Sequence, residues 1–213
     1  MRSGSPWHLL QDLLLAPLVR AWCAPFRVQS RGLPIEKPAL FVANHASHLD
    51  APAILAALPR SGRQRLAIAA AEDYFYARPL LGWLVTHAIG TFPFPRRGTL
   101  GTQRAEALLV EQWSVLLFPE GTRSPNGVQQ HFRRGVGHLL LNTGVPVVPV
   151  GIVGTHALWP RGQRFPRRGP VSVCFGEAWK PDPALTPAAI ADELAARCCA
   201  AAATAALAST GLP

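Results

Sequence analysis

The chain has 213 residues, of which 49% are hydrophobic and 15% charged, with 21 basic against 12 acidic side chains and a formal net charge of +9. At roughly 100–200 residues per domain, this length predicts one domain, or one domain with a small appendage. That is long enough to bury a core without disulfides or metal. The apolar content excludes a disordered chain, and 21 Pro with 18 Gly exclude a coiled coil. Nineteen of the 21 basic residues are Arg, whose planar fork suits phosphate. Acidic lipid, small anionic substrates and nucleic acid are therefore the partners to weigh.

Residues 7–26 are apolar, but Asp12, Pro17 and Arg20 interrupt them before the length that spans a bilayer. A signal peptide fits poorly for the same reason. Leu10, Leu13, Leu14 and Val19 fall on one helical face, which predicts an interfacial helix, with a helix packed on the core as the alternative. Residues 1–30 thus read as an amphipathic, membrane-associating segment and 31–213 as a single domain. The four cysteines form no framework: Cys23 and Cys174 stand alone, and Cys198 and Cys199 are adjacent. Reduced thiols, and so a protein at the cytoplasmic face of a membrane, peripheral or monotopic, are the expectation.

Apolar runs and breakers then alternate. Residues 39–43, 66–71, 114–118, 145–153 and 171–175 read as short buried strands, with the prolines of 145–153 predicting irregular pairing. Residues 91–95 are extended, because two prolines forbid helix there. Helices are predicted over 49–58, 79–88, 101–113, 136–142 and about 187–208, the last opened by Thr186-Pro187 in the N-cap and first-turn positions. The segment 119–134 is a polar loop. Strands separated by helices predict an α/β fold, a mostly parallel central sheet flanked by helices.

In such folds sites lie beyond the strand ends, and several polar stretches lie there. The first, Asn44-His45-Ala46-Ser47-His48-Leu49-Asp50, puts a carboxylate where it reaches back to an imidazole. That fixes the tautomer and leaves the other ring nitrogen to take a proton; a helix cap is the plainer alternative. A metal site is not expected. Aligned to an H-x-H-x-D-H pattern, Ala46 and Ala51 stand where two ligands belong. The second stretch, Phe118-Pro119-Glu120-Gly121-Thr122-Arg123-Ser124, offers backbone N–H groups and an Arg fork to a phosphate ester. The third, Gly90 to Arg97, delivers Arg96 and Arg97. The fourth, Val145 to Val150, holds no titratable group. Arg161, Arg164, Arg167 and Arg168 form a basic cluster read either as a patch for anionic headgroups or carrier phosphates, or as a solvated loop. With only Trp159 and Phe165 beside it and no recognisable nucleic-acid fold, no nucleic acid is expected.

Taken in order, these stretches resemble the glycerolipid acyltransferase family, whose best-known members are 1-acylglycerol-3-phosphate acyltransferases. Its N-H-x-x-x-x-D, G-x-x-F-type, F-P-E-G-T-R-S and V-P-V-x-P blocks match Asn44–Asp50, Gly90–Arg96, Phe118–Ser124 and Val145–Pro149. Phe132, Arg133 and Gly135 are similar to its basic step after the third block. Departures are the Phe92-Pro93-Phe94-Pro95 run in place of an aliphatic one, and Ala71 before Glu72 where members often carry Lys. The resemblance implies transfer of a fatty acyl group from a thioester, acyl-CoA or acyl carrier protein, to the hydroxyl of a lysolipid at an anionic membrane surface, without a cofactor and without an acyl-enzyme. It implies His45 as general base oriented by Asp50. Arg96, Glu120, Gly121, Thr122 and Arg123 would hold the acceptor's head, with Asn44, Ser124 and Pro149 in support, the backbone near Pro149 as an oxyanion donor. A thioester or lipid hydrolase and a non-catalytic membrane-binding module remain the alternatives.

Overall fold

The computed structural model describes residues 9–33 and 38–210; the remainder of the N-terminal segment, residues 1–8, lies outside them. Among the described residues, β1 (Phe26–Ser30), β2 (Leu40–Ala43), β3 (Leu66–Ala71), β4 (Thr91–Phe94), β5 (Ser114–Leu117), β6 (Val147–Val153) and β7 (Val171–Phe175) form one sheet. Its order is β1-β7-β6-β2-β5-β3-β4. Neighbours pair in parallel except β6 with β7. The central strand β2 is buried at all its positions, as a parallel strand covered on both faces requires.

Alternation along β2 divides the core. Phe41 and Ala43 face α1 (Ala16–Trp22) and α2 (Asp50–Ala57), where Val19, Ile54 and Leu55 pack. Leu40 and Val42 face α5 (Leu100–Val110), α6 (Gly135–Thr143) and α8 (Pro187–Thr210), through Leu109, Leu139, Ile190 and Leu194. Helix α8 lies so close to β6 that a Cβ on Gly151 would run into the backbone of Ala201 and Ala202. Short helices α3 (Arg60–Arg63) and α7 (Thr155–Leu158), and the longer α4 (Pro79–Ile89), complete the layers. Ala189 N–H donates to the Thr186 hydroxyl at 3.2 Å, the N-cap read from the sequence.

Two features depart from the sequence reading, and the irregular pairing expected of 145–153 is observed. Phe26–Ser30, placed in the N-terminal segment, is an edge strand paired with β7. The proline-bearing strand β6 is interior to the sheet. Pro149 is tolerated because the antiparallel pairing with β7 starts only at Val150 and the bridge to Trp179 sits at Val147, so no ladder bond needs its missing N–H. In the N-terminal helix, Leu9, Leu13, Leu14 and Leu18 are exposed, but Val19 is buried against α2 with Ala16 and Cys23. The π-wound turn Gln11–Leu15 changes the helical phase between these residues. Arg20 donates two bonds to the Ala56 carbonyl, at 3.1 and 2.8 Å, capping the end of α2. Asp12 pairs with Arg63 at 2.7 Å and Arg60 at 2.9 Å.

Candidate active site

The site is built where β2 ends and α2 begins. Asn44 is pinned to β6 by a reciprocal pair: its amide donates to Ile152 O and its carbonyl accepts from Ile152 N–H, both at 2.9 Å. The chain then turns so that Asp50 Oδ2 accepts three bonds, from His45 Nδ1 at 2.8 Å, Ala46 N–H at 2.7 Å and Ser47 N–H at 2.8 Å. Asp50 Oδ1 accepts the Thr155 hydroxyl. As the first residue of α2, Asp50 also sits at the favourable end of a helix dipole. Its side chain is fully buried, whereas His45 keeps 20% of its side-chain surface. Phe118 stacks on the His45 ring at 4.2 Å. The carboxylate holds Nδ1 as the protonated nitrogen and leaves Nε2 free to take a proton.

Glu120, expected at the acceptor's head, is internal. It is 4% exposed, and its oxygens accept His45 N–H at 2.8 Å and Gln130 N–H at 3.2 Å. Burial pushes its carboxyl up from the ordinary range, and the two N–H groups oppose that shift. Its work is to hold the His45 backbone. Ser124 is likewise buried; its N–H donates to His45 O at 2.7 Å, and its hydroxyl donates to Asn126. The loop after β5 therefore fixes the backbone on both sides of His45.

Gly121 and Thr122 lie half-buried on the rim. The Arg133 guanidinium fills the space a side chain at Gly121 would take and donates to the Arg96 carbonyl at 2.8 Å. This joins the loop after β4 to the one after β5. Arg123 is half-buried, and desolvation lowers its pKa, with Tyr74, Arg161, Asp50 and Arg96 within electrostatic reach. Arg96 is more exposed and lies 3.4 Å from Asp73. Pro149, expected in support, sits mid-strand opposite Val42. It has no N–H, and its carbonyl accepts Gly176 N–H at 2.8 Å. His48 packs among Tyr74, Phe75 and Trp159 at 5.3–5.8 Å. Burial, then Arg123 and His45, push its pKa down to about 4.

Arg161, Arg164, Arg167 and Arg168 are exposed on the loop after α7. The loop is tied down: Ser47 Oγ donates to Trp159 O at 2.9 Å, Trp22 Nε1 donates to Arg167 O at 2.9 Å, and Arg168 lies 4.7 Å over the Trp22 ring. Thr155 and Phe118 were not legible as partners of the His/Asp pair. Thr155 does follow Gly154 just beyond a strand end, the position where α/β folds put functional groups.

A family model described as "Acyltransferase" matches residues 26–153. A 1-acyl-sn-glycerol-3-phosphate acyltransferase from Limnanthes alba is 33% identical over 156 residues, covering 68% of this chain and 54% of that protein. The human 1-acyl-sn-glycerol-3-phosphate acyltransferase alpha is 33% identical over 134 residues, covering 58% of this chain and 44% of that one. The chain thus spans about half the length of these relatives. The crystal structure of the 1-acyl-sn-glycerophosphate (LPA) acyltransferase PlsC from Thermotoga maritima superimposes with a TM-score of 0.69 at 23% identity, covering 93% of this chain and 81% of that one, and it shares the fold. The family match takes in the His45–Asp50 turn, the Phe118–Ser124 loop and all of β6, and by it this chain belongs to the acyltransferase family.

Proposed function

We propose that the protein transfers a fatty acyl group from an acyl thioester, on CoA or acyl carrier protein, to the hydroxyl of 1-acylglycerol-3-phosphate or a related lysolipid. The observation that carries this reading is the His45 Nδ1 to Asp50 Oδ2 contact at 2.8 Å, with one imidazole nitrogen left over. Nε2 takes the acceptor's hydroxyl proton as that oxygen attacks the thioester carbonyl. The carbon–sulfur bond breaks, and the leaving thiolate takes the proton back from the imidazolium, which Asp50 stabilises. General-base help of this kind is worth about 10²–10⁴-fold. Arg123, with Arg96 outside it, suits the acceptor's phosphate, since Arg offers a fork matched to it.

The test is a lysolipid panel assayed with both donor types, with products identified by mass. Equal yields of diacylated product and free thiol, lost in His45→Ala, support transfer. Free fatty acid formed regardless of acceptor would make the protein a hydrolase. No turnover with any pair would leave a membrane-binding module.

The reading includes work at a membrane surface, on its cytoplasmic face. Among the described residues no helix is long and apolar enough to cross a membrane. Leu13 and Leu18 are 70% and 63% exposed, and on α4, which packs against Gln11–Leu15, Leu80 and Leu84 are 79% and 53% exposed. Such an apolar ridge on a basic protein suits anionic lipid, where each Arg near the surface adds about 1 kcal/mol. Replacing Leu13 and Leu18 together with Gln should weaken sedimentation with anionic vesicles while leaving the fold intact. Unchanged sedimentation would remove the helix from membrane contact.

A further inference from the structure

The acid side of the His/Asp pair has a partner from just beyond the end of β6, the strand beside β2. Asp50 Oδ2 is saturated by His45 and two backbone N–H groups. Oδ1 has the Thr155 hydroxyl, at 2.5 Å. Both residues are buried, Asp50 at 0% and Thr155 at 1% exposure. A carboxylate oxygen sealed from water without a donor is strongly disfavoured, so this hydroxyl carries a defined share of holding the carboxylate in place and aimed.

The local chain is shaped to deliver it. Gly154, at the end of β6, has φ +95°, and a Cβ there would run into the Pro170 carbonyl. The backbone can make this turn only with glycine, and the turn places Thr155 as the first residue of α7. At the other end of that helix, Trp159 O accepts the Ser47 hydroxyl at 2.9 Å. Helix α7 therefore braces the His45–Asp50 turn at two points, one of them directly on the carboxylate.

We infer that Thr155 is a positioning residue for the acyl transfer. Its hydroxyl fixes the rotamer of Asp50, so that Asp50 can orient His45 and stabilise the imidazolium. The inference rests on the reading of His45 as the base. Thr155 touches neither substrate nor imidazole, so its loss acts on the chemical step through Asp50. Substrate binding is spared.

The experiment compares Thr155→Val, Thr155→Ser and His45→Ala in the full chain, with acyl-CoA and 1-acylglycerol-3-phosphate, alongside thermal unfolding of each. Thr155→Val keeps the shape and removes the donor. It should lower kcat roughly 10- to 100-fold, the range for one hydrogen bond to a charged group, with both KM values within about twofold. Thr155→Ser restores the hydroxyl and should recover at least half of wild-type kcat. Where valine prevents folding, Thr155→Ala leaves room for water at Oδ1 and should still lower kcat several-fold. A folded Val or Ala variant within twofold of wild-type kcat would overturn the inference. So would a serine variant as impaired as the valine or alanine one, or an effect confined to KM. The base assignment fails separately, if His45→Ala itself keeps more than a tenth of wild-type kcat.

Discussion

Around Asp50 each carboxylate oxygen is engaged, by His45, two backbone N–H groups and Thr155, and the side chain has no exposure. Around Arg161 to Arg168 the guanidinium groups stand in solvent, and the loop is held mainly through its backbone and the ring of Trp22. The difference is between fixed geometry and adjustable reach. A proton-transfer group must be aimed before the substrate arrives, since catalysis depends on preorganised partners. A phosphate can be met by long side chains that order on contact, at some cost in entropy. Arg123 stands between the two regimes, half-buried and adjacent to both.

The largest effect should come from breaking the fixed region. His45→Ala and Asp50→Asn should each lower kcat by at least about 100-fold, within the span of general-base help, with thermal unfolding showing a retained fold. The neutral amide cannot stabilise the imidazolium as a carboxylate does, and in its other orientation it turns its NH2 toward His45 and both backbone donors. An Asp50→Asn enzyme with more than a tenth of wild-type kcat would reduce this turn to a scaffold.

A middle-sized effect should separate the arginines. Arg123→Ala should raise the acceptor KM by about 10-fold or more, as loss of a charge-assisted bond predicts. Arg96→Ala should raise it less, because Arg96 is exposed and shares its charge with Asp73. Lysine at 123 should recover only part, keeping charge without the fork. Steady-state kinetics with acceptor and donor varied in turn decide the matter; a rise in donor KM alone would reassign Arg123 to the donor.

The smallest effect concerns His48 and pH. Its pKa is pushed down from 6.5 to about 4 in the folded protein. Between those values the unfolded chain binds a proton that the native state refuses, so stability falls as pH drops through that window and is whole above it. His48→Phe, which keeps ring contacts with Tyr74, Phe75 and Trp159, should lose this slope. Urea midpoints at pH 7 and 4.5 for both proteins give the comparison. Parallel losses would mean that His48 is solvated.

Much of this was legible in the sequence because it is local. Apolar runs such as Leu40–Ala43 and Ser114–Leu117 announce buried strands, and His45 with Asp50 lies within one turn. Glu120 misled because its spacing places it on a site loop, yet says nothing about which way the side chain faces. Its partner, His45 N–H, belongs to a neighbouring strand's end. Thr155 was silent for the same reason: its contact with Asp50 spans 105 positions. The edge strand β1 was missed because its burial alternates weakly; pairing with β7 makes it a strand, as context often does for β structure.

The seat of α8 on Gly151 has a consequence for how substitutions will distribute along the chain. The run from Ala200 to Ala206 reads like filler, a helix spelled with the commonest helix former. Where a helix meets a strand backbone to backbone, however, there is no side chain to trim in compensation. Ala201 and Ala205 are buried one turn apart, while Ala203 and Ala206 face outward. In a saturation library, positions 203 and 206 should accept nearly any helix-compatible residue. Positions 201 and 205 should reject anything larger than alanine as firmly as the His45 turn rejects change.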